Sequence, residues 1–245
     1  MLLRKLLIAL TGVLIATSSE AVELKVMSSI GIKSVLEELA PKFERRAGDT
    51  LVITYGTAKG LAAKISAGEP FDVAILTAPI MHELVEQGRV LVDTRTDIAR
   101  SGIGIAVRAG EPKPDIGSVT AFTEAIRRAP SIAYAQDGAS GAHFLKVLEK
   151  LEIKNAKLVP VPGGTELQRV AKGDAALAVQ LISEILAAEN VELVDAFPPA
   201  LQSYVVFTAA VATNRTAPTT ALDLINYLRS LTAIMIIRDK GMEQP

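Results

Sequence analysis

Cysteine is absent from the 245-residue chain, and histidine occurs only as His82 and His143. The first absence removes disulfides, thiolate metal sites and a cysteine nucleophile, and two isolated imidazoles make no zinc site. Tryptophan is missing too, and four Tyr and six Phe offer few stacking platforms for bases. A formal net charge of −1 gives no broad basic field. Nucleic acid is therefore not an expected partner, and neither a metal nor a cofactor is called for. Apart from one apolar run near the start, no charge-free stretch is apolar over the roughly 20 residues of a membrane span.

That run lies in MLLRKLLIALTGVLIATSSEA, where Arg4 and Lys5 precede an apolar segment from Leu6 to Ala16 and the small residues Ser19 and Ala21. The pattern is that of a secretory signal cut after Ala21, which sends the mature chain to the periplasm. The remainder is long enough for one large domain or two small ones with proper cores.

From Glu23 onward, short apolar runs alternate with helical patterns. ELKVMS, LVITY and DVAIL read as strands, and IKSVLEELAPKFERRAG, LAAKISAG and TAPIMHELVEQG as the helices between them. A second unit alternates SIAYA, KLVPVP and AALAVQ with SVTAFTEAIRRAP, GAHFLKVLEKL and TELQRVAKG. Strands separated by helices imply right-handed crossovers and parallel sheets covered on both faces. The long apolar strands GIGIAVRAG and SYVVFTAAVAT suit crossings between the units. The expected fold class is α/β, with two lobes of mainly parallel sheet joined by two crossing strands and a ligand cleft between them. Residues 22–103 are assigned to the first lobe, 104–207 to the second, and 208–245 to a return into the first.

In such sheets ligands bind beyond the carboxyl ends of the strands. The residues found there are Ser28 and Ser29, Thr57 and Lys59, Thr77, Ser140 and Gly141, Gly164, and Gln180. They are hydroxyls, glycines, one amide and one cation, which suits an anion held by backbone N–H groups at helix starts. Taken singly, each hydroxyl also suits an ordinary helix N-cap.

The segment GASGA around Ser140 comes near the G-x-S-x-G elbow of serine hydrolases, but Ala142 replaces the last glycine. A triad would need a His beyond the Ser in chain order, and only His143, three residues on in the same helical pattern, follows it. Likewise, GTAKG lacks the length and the K-[ST] ending of a phosphate-binding loop. The chain is expected not to be an enzyme; a serine esterase using Ser140 and a ligand-sensing domain for a signalling partner stand as alternatives.

Taken together, LKVMSSIGIKSVLEELAPKFERRAG, VITYGTAKGLAAKISAGEPFDVAILTAP, GASGAHFLKVLEKLEI and RVAKGDAALAVQLISEI resemble the molybdate-binding proteins of ABC importers, a branch of the type II periplasmic binding proteins. The resemblance implies two lobes closing on a small anion by hinge motion, delivery to an ABC permease, and a monomer. It also implies departures: Gly31 and Lys59 stand where molybdate-holding members place serines, and no tyrosine occurs at Gln180 or Leu181. A lysine in place of hydroxyls suits a carboxylate or a larger anion as well as a molybdate-like oxyanion.

Overall fold

A computed structural model describes residues 21–245; the expected signal sequence up to residue 20 lies outside the described residues. β1 (Glu23–Ser29) pairs in parallel with β2 (Thr50–Gly56) on one side and with β3 (Val73–Thr77) on the other. The links are α1 (Lys33–Ala47) and α2 (Ala58–Ser66), and α3 (Ala78–Glu86) follows β3. Every residue of β3 is buried, as its unbroken apolar run requires of a strand covered on both faces.

β4 (Thr96–Arg108) joins the two lobes. Its first half pairs antiparallel with β9 (Tyr204–Val211), which itself lies against β3. From Ile103 it pairs instead with β7 (Leu177–Leu181), and from Gly104 also with β8 (Val191–Ala196). β5 (Ile132–Ala135) then runs parallel to β7 and to β6 (Leu158–Val161). The nine strands form one hydrogen-bonded path, β2-β1-β3-β9-β4-β7-β5-β6, with β8 on β4. In the second lobe α4 (Val119–Arg128), α5 (Ala139–Lys150) and α6 (Glu166–Lys172) alternate with strands, and α7 (Ile182–Ala187) leads into β8. The chain closes on α8 (Pro218–Tyr227) and α9 (Leu231–Asp239), bent by 58° at a break where Ser230 caps α9. Among the described residues no single helix is long and apolar enough to cross a membrane.

The lobes meet where β4 changes partners. There the Gln202 side chain takes the place of a strand: its Oε1 accepts from the Ile103 N–H at 2.9 Å, and its Nε2 donates to the Ile103 carbonyl at 2.9 Å. The chain re-enters the first sheet at Tyr204 on β9, ahead of the expected 207/208 boundary. The start of β4, TDIARS, was not among the expected strands. Only Ile98, Ala99 and Ser101 of it are buried, and a bulge between Asp97 and Ala99 interrupts the alternation that marks a strand.

Two buried groups fix the first lobe to its C-terminal helices and the second lobe to its core. Asp72 accepts from Lys25 N–H at 3.0 Å, from Thr216 N–H at 2.7 Å and from the Thr216 hydroxyl at 2.9 Å. Burial alone would raise its pKa, but these donors hold the carboxyl below its ordinary value. In the second lobe Phe122 meets Phe197 edge-on, with ring centroids 4.8 Å apart, a geometry that adds to simple burial.

Candidate functional site

Between the lobes lies a cleft of about 630 Å³, walled by the carboxyl ends of β1, β2, β3, β5 and β7 and by the starts of the helices that follow them. Ser29, Thr57, Lys59, Thr77, Ser140, Gly164 and Gln180 line it. Ser28 and Gly141 do not. Ser28 is fully buried one residue back along β1, its hydroxyl turned to the Ser29 carbonyl at 3.3 Å. Gly141 packs against the end of β5, where any side chain would collide with the Ala135 carbonyl. That contact seats the first turn of α5 on the strand and leaves the turn's unpaired N–H groups at the cleft.

The hydroxyls are mostly not used as caps. Thr57 does cap α2, accepting from Gly60 N–H at 3.2 Å. Thr77 and Ser29 precede helical turns without making a side-chain cap bond. Ser140 lies inside α5, behind Gly138 at the N-cap. Its hydroxyl donates to Gln180 Oε1 at 2.9 Å, and the same oxygen accepts the Leu181 N–H at 2.8 Å. Gln180 therefore spends its oxygen on the protein and keeps its Nε2 donors for the cleft.

The same geometry removes the triad. His143 donates Nε2–H to the Leu201 carbonyl at 2.7 Å, since a carbonyl can only accept, and this ties α5 to the segment before β9. His82 sits on the exposed face of α3, 3.4 Å from Glu86. Neither imidazole accepts from Ser140, so a serine nucleophile has no base here.

Several groups of the cleft escaped the sequence reading. Asp137 bridges the lobes, accepting from Gly163 N–H at 2.8 Å and from the Thr57 hydroxyl at 3.4 Å. Gly164, which the sequence did mark, has φ +86° and turns the chain tightly beside Ile30 of the opposite lobe, where a side chain would clash. Ser183 of α7 donates to the Gly31 carbonyl at 2.8 Å, a third contact between the lobes. Lys146 joins Lys59 as a second cation on the lining.

The acids are less expected. Glu166 is fully buried, and neither of its oxygens has a hydrogen-bond partner among the described residues. Burial pushes its pKa up to about 6; the nearby N–H groups of Glu166, Gly164 and Thr165 pull it down, and the Asp137 charge adds to the rise. Glu184 occupies the wall between the cleft and a shallower groove behind it. Burial, reinforced by the charge on Glu166, pushes Glu184 up to about 8. A Glu opening a helix after a strand end was the available signal for Glu166. No local pattern marks Glu184. Among the described residues no group of three or more His, Asp or Glu is placed to hold a metal ion.

Two lobes on a shared antiparallel crossing, with helix starts, hydroxyls and lysines converging on the cleft between them, define a solute-binding protein. The family described as bacterial extracellular solute-binding protein matches residues 24–243, and the chain belongs to it. Among curated relatives, an aconitate isomerase from a Pseudomonas species is 32% identical over 97% of this chain and 93% of its own length. The molybdate-binding protein ModA of Azotobacter vinelandii is 25% identical over 75% of this chain and 74% of its own. Among solved structures, the periplasmic molybdate-binding protein of Azotobacter vinelandii superposes with a TM-score of 0.75 at 23% identity, covering 91% of this chain and 99% of that one. PEB3 with L-phospholactate bound superposes with a TM-score of 0.70 at 15% identity, covering 91% and 100%.

Proposed function

We propose that this chain is an exported, monomeric solute-binding protein that captures a small polycarboxylate in the periplasm and hands it to an ABC permease. The observation that carries this is the cleft itself. At about 630 Å³ it falls in the range of sites for organic ligands, about 300–1,000 Å³, and it offers two lysines where a compact tetrahedral oxyanion is served by neutral donors.

Lys59, on the first turn of α2, and Lys146, on α5, approach from opposite lobes. Cations on two sides of the cleft suit a ligand with more than one carboxylate. Helix starts and the Gln180 amide supply neutral donors between them. A relative named for aconitate, and a structural neighbour with a phosphorylated hydroxy acid bound, support a carboxylate over a bare oxyanion.

Titration calorimetry with cis-aconitate, trans-aconitate, citrate, molybdate, tungstate and sulfate tests the reading. A tricarboxylate is expected to bind, and Lys59→Met to weaken it about tenfold or more, the value of one charge-assisted hydrogen bond. Heat released with molybdate and tungstate alone would overturn it.

A further inference from the structure

Two acidic side chains in this cleft do nothing to hold an anion. Glu166 is buried with both oxygens unpartnered, and Glu184 stands on the adjoining wall, facing the cleft. Ionised, the two would repel the polyanion that Lys59 and Lys146 attract, and Glu166 would be a buried charge met only by nearby backbone N–H groups. A structure that retains both carboxyls beside an anion site has a use for a group that takes up and returns a proton.

The geometry points to Glu184, on the cleft wall, as a proton-transfer group acting on a C–H bond next to a carboxylate of an unsaturated polycarboxylate, with Glu166 on the same lining as a positioning residue. The inference rests on the polycarboxylate reading above and adds a reaction to it. In propene-1,2,3-tricarboxylate, the aconitate skeleton, ionised Glu184 removes one proton from the CH₂ group. The electron pair of that C–H bond forms a new C=C bond to the central carbon. The electrons of the old double bond move to the far carbon and spread into its carboxylate. Glu184 then returns the proton to that far carbon. One C–H bond is broken and one formed, the double bond has shifted, and no oxidant or reductant is needed. The geometry of the new double bond is set by the conformation about the former C–CH₂ bond when the proton leaves, so a cis substrate held with the carboxylates apart across that bond gives the trans isomer.

The cleft supplies what this step demands. Charge developing on the carboxylates faces Lys59, Lys146 and the N–H groups at the start of α5, the arrangement that stabilises an enediolate. Removing a carbon-bound proton also calls for a base stronger than a free carboxylate, and the raised proton affinity of Glu184 answers that need. The other carboxyl, amine and imidazole groups on the two linings that Glu184 joins are Lys59, Glu83, Asp137, His143, Lys146 and Glu166 in the cleft, and Lys33, Glu37 and Glu189 in the groove behind.

The test follows cis-aconitate in D₂O by proton NMR with the purified protein, reading deuterium uptake and the cis-to-trans ratio together. Binding of tricarballylate, the saturated analogue that cannot isomerise, is measured by calorimetry in parallel. The wild-type protein is expected to exchange and isomerise. Glu184→Gln should slow both about 100-fold or more, with partial rescue by Glu184→Asp. Glu166→Gln should move the rising limb of the pH–rate profile to lower pH, because a negative neighbour is gone. Wild-type protein that binds tricarballylate yet incorporates no deuterium above the uncatalysed rate overturns the proton-transfer role and leaves the polycarboxylate reading standing; so does wild-type exchange in Glu184→Gln. Failure to bind either tricarboxylate overturns both.

Discussion

Gln180 carries two duties that substitution can separate. Its Oε1 accepts from the Ser140 hydroxyl at 2.9 Å and from the Leu181 N–H at 2.8 Å, and the residue is 4% exposed. Gln180→Ala leaves both donors without an acceptor, at about 1–3 kcal/mol each. The serine hydroxyl can rotate toward water in the cleft while the backbone N–H cannot, so the lower part of the sum, about 2–4 kcal/mol, is expected. In a chain of this length each kcal/mol moves Tm by about 2–4 °C, which gives a drop of about 4–16 °C by calorimetry. Gln180→Glu retains an acceptor for both donors and should lose much less stability than Gln180→Ala. It replaces the amide nitrogen facing the cleft with an anionic oxygen, so ligand affinity should fall at least tenfold, about 1.4 kcal/mol. A Tm change below 1 °C in Gln180→Ala, or unchanged ligand affinity in Gln180→Glu, would refute this division of labour.

Asp72→Ala removes a buried acceptor of three hydrogen bonds between β1, β3 and the lead-in to α8; a loss of about 3–5 kcal/mol in urea unfolding is expected. Because the folded pKa of Asp72 lies below its ordinary 3.8, its contribution is complete above that value and disappears as pH falls below it. Glu166 acts in the opposite sense. Its folded pKa of about 6 lies above the ordinary 4.5, so the native state binds the extra proton, and stability drops as pH rises from 4.5 toward 6 by about 2 kcal/mol. Unfolding curves across that window should show the slope in the wild-type protein and a flatter one in Glu166→Gln; equal slopes would mean that Glu166 ionises as freely in the fold as outside it.

The lobes and the cleft were legible because hydrophobic periodicity and the strand-end rule act locally. Buried parallel strands such as VAILT show as unbroken apolar runs, and the residues just after them reach the cleft whatever the distant chain does. What stayed hidden depends on the opposite lobe. Glu166 in TELQRVAKG and Glu184 in SEILAAEN look like the solvated face of any short helix; their environment is set by elements far away in sequence, with Gly164 against Ile30 and Ser183 bound to Gly31. Ser28 and Ser29 show the finer limit. Both end β1, but side chains alternate along a strand, so only Ser29 borders the cleft. The polar first half of β4 was missed for a related reason: its burial comes from β9, more than a hundred residues later in the chain.

Gly31 gathers these threads into a statement about cargo. A Cβ on it would stand 2.8 Å from Leu181 Cδ1 and nearer still to the tip of the Phe207 ring. Phe207 is fully buried in β9, with no free direction in which to swing, and a close-packed interior resists added volume at about 1–3 kcal/mol. A hydroxyl at position 31 is thus not one substitution away; it would require Leu181 and Phe207 to change with it. The floor of the cleft has been filled with apolar side chains at the point where the molybdate-type loop resembled by this sequence carries a serine, while cations were placed on the walls at Lys59 and Lys146. Those changes act in one direction. An apolar floor with cations on the walls supports the proposed extended anion with separated carboxylates over a compact one.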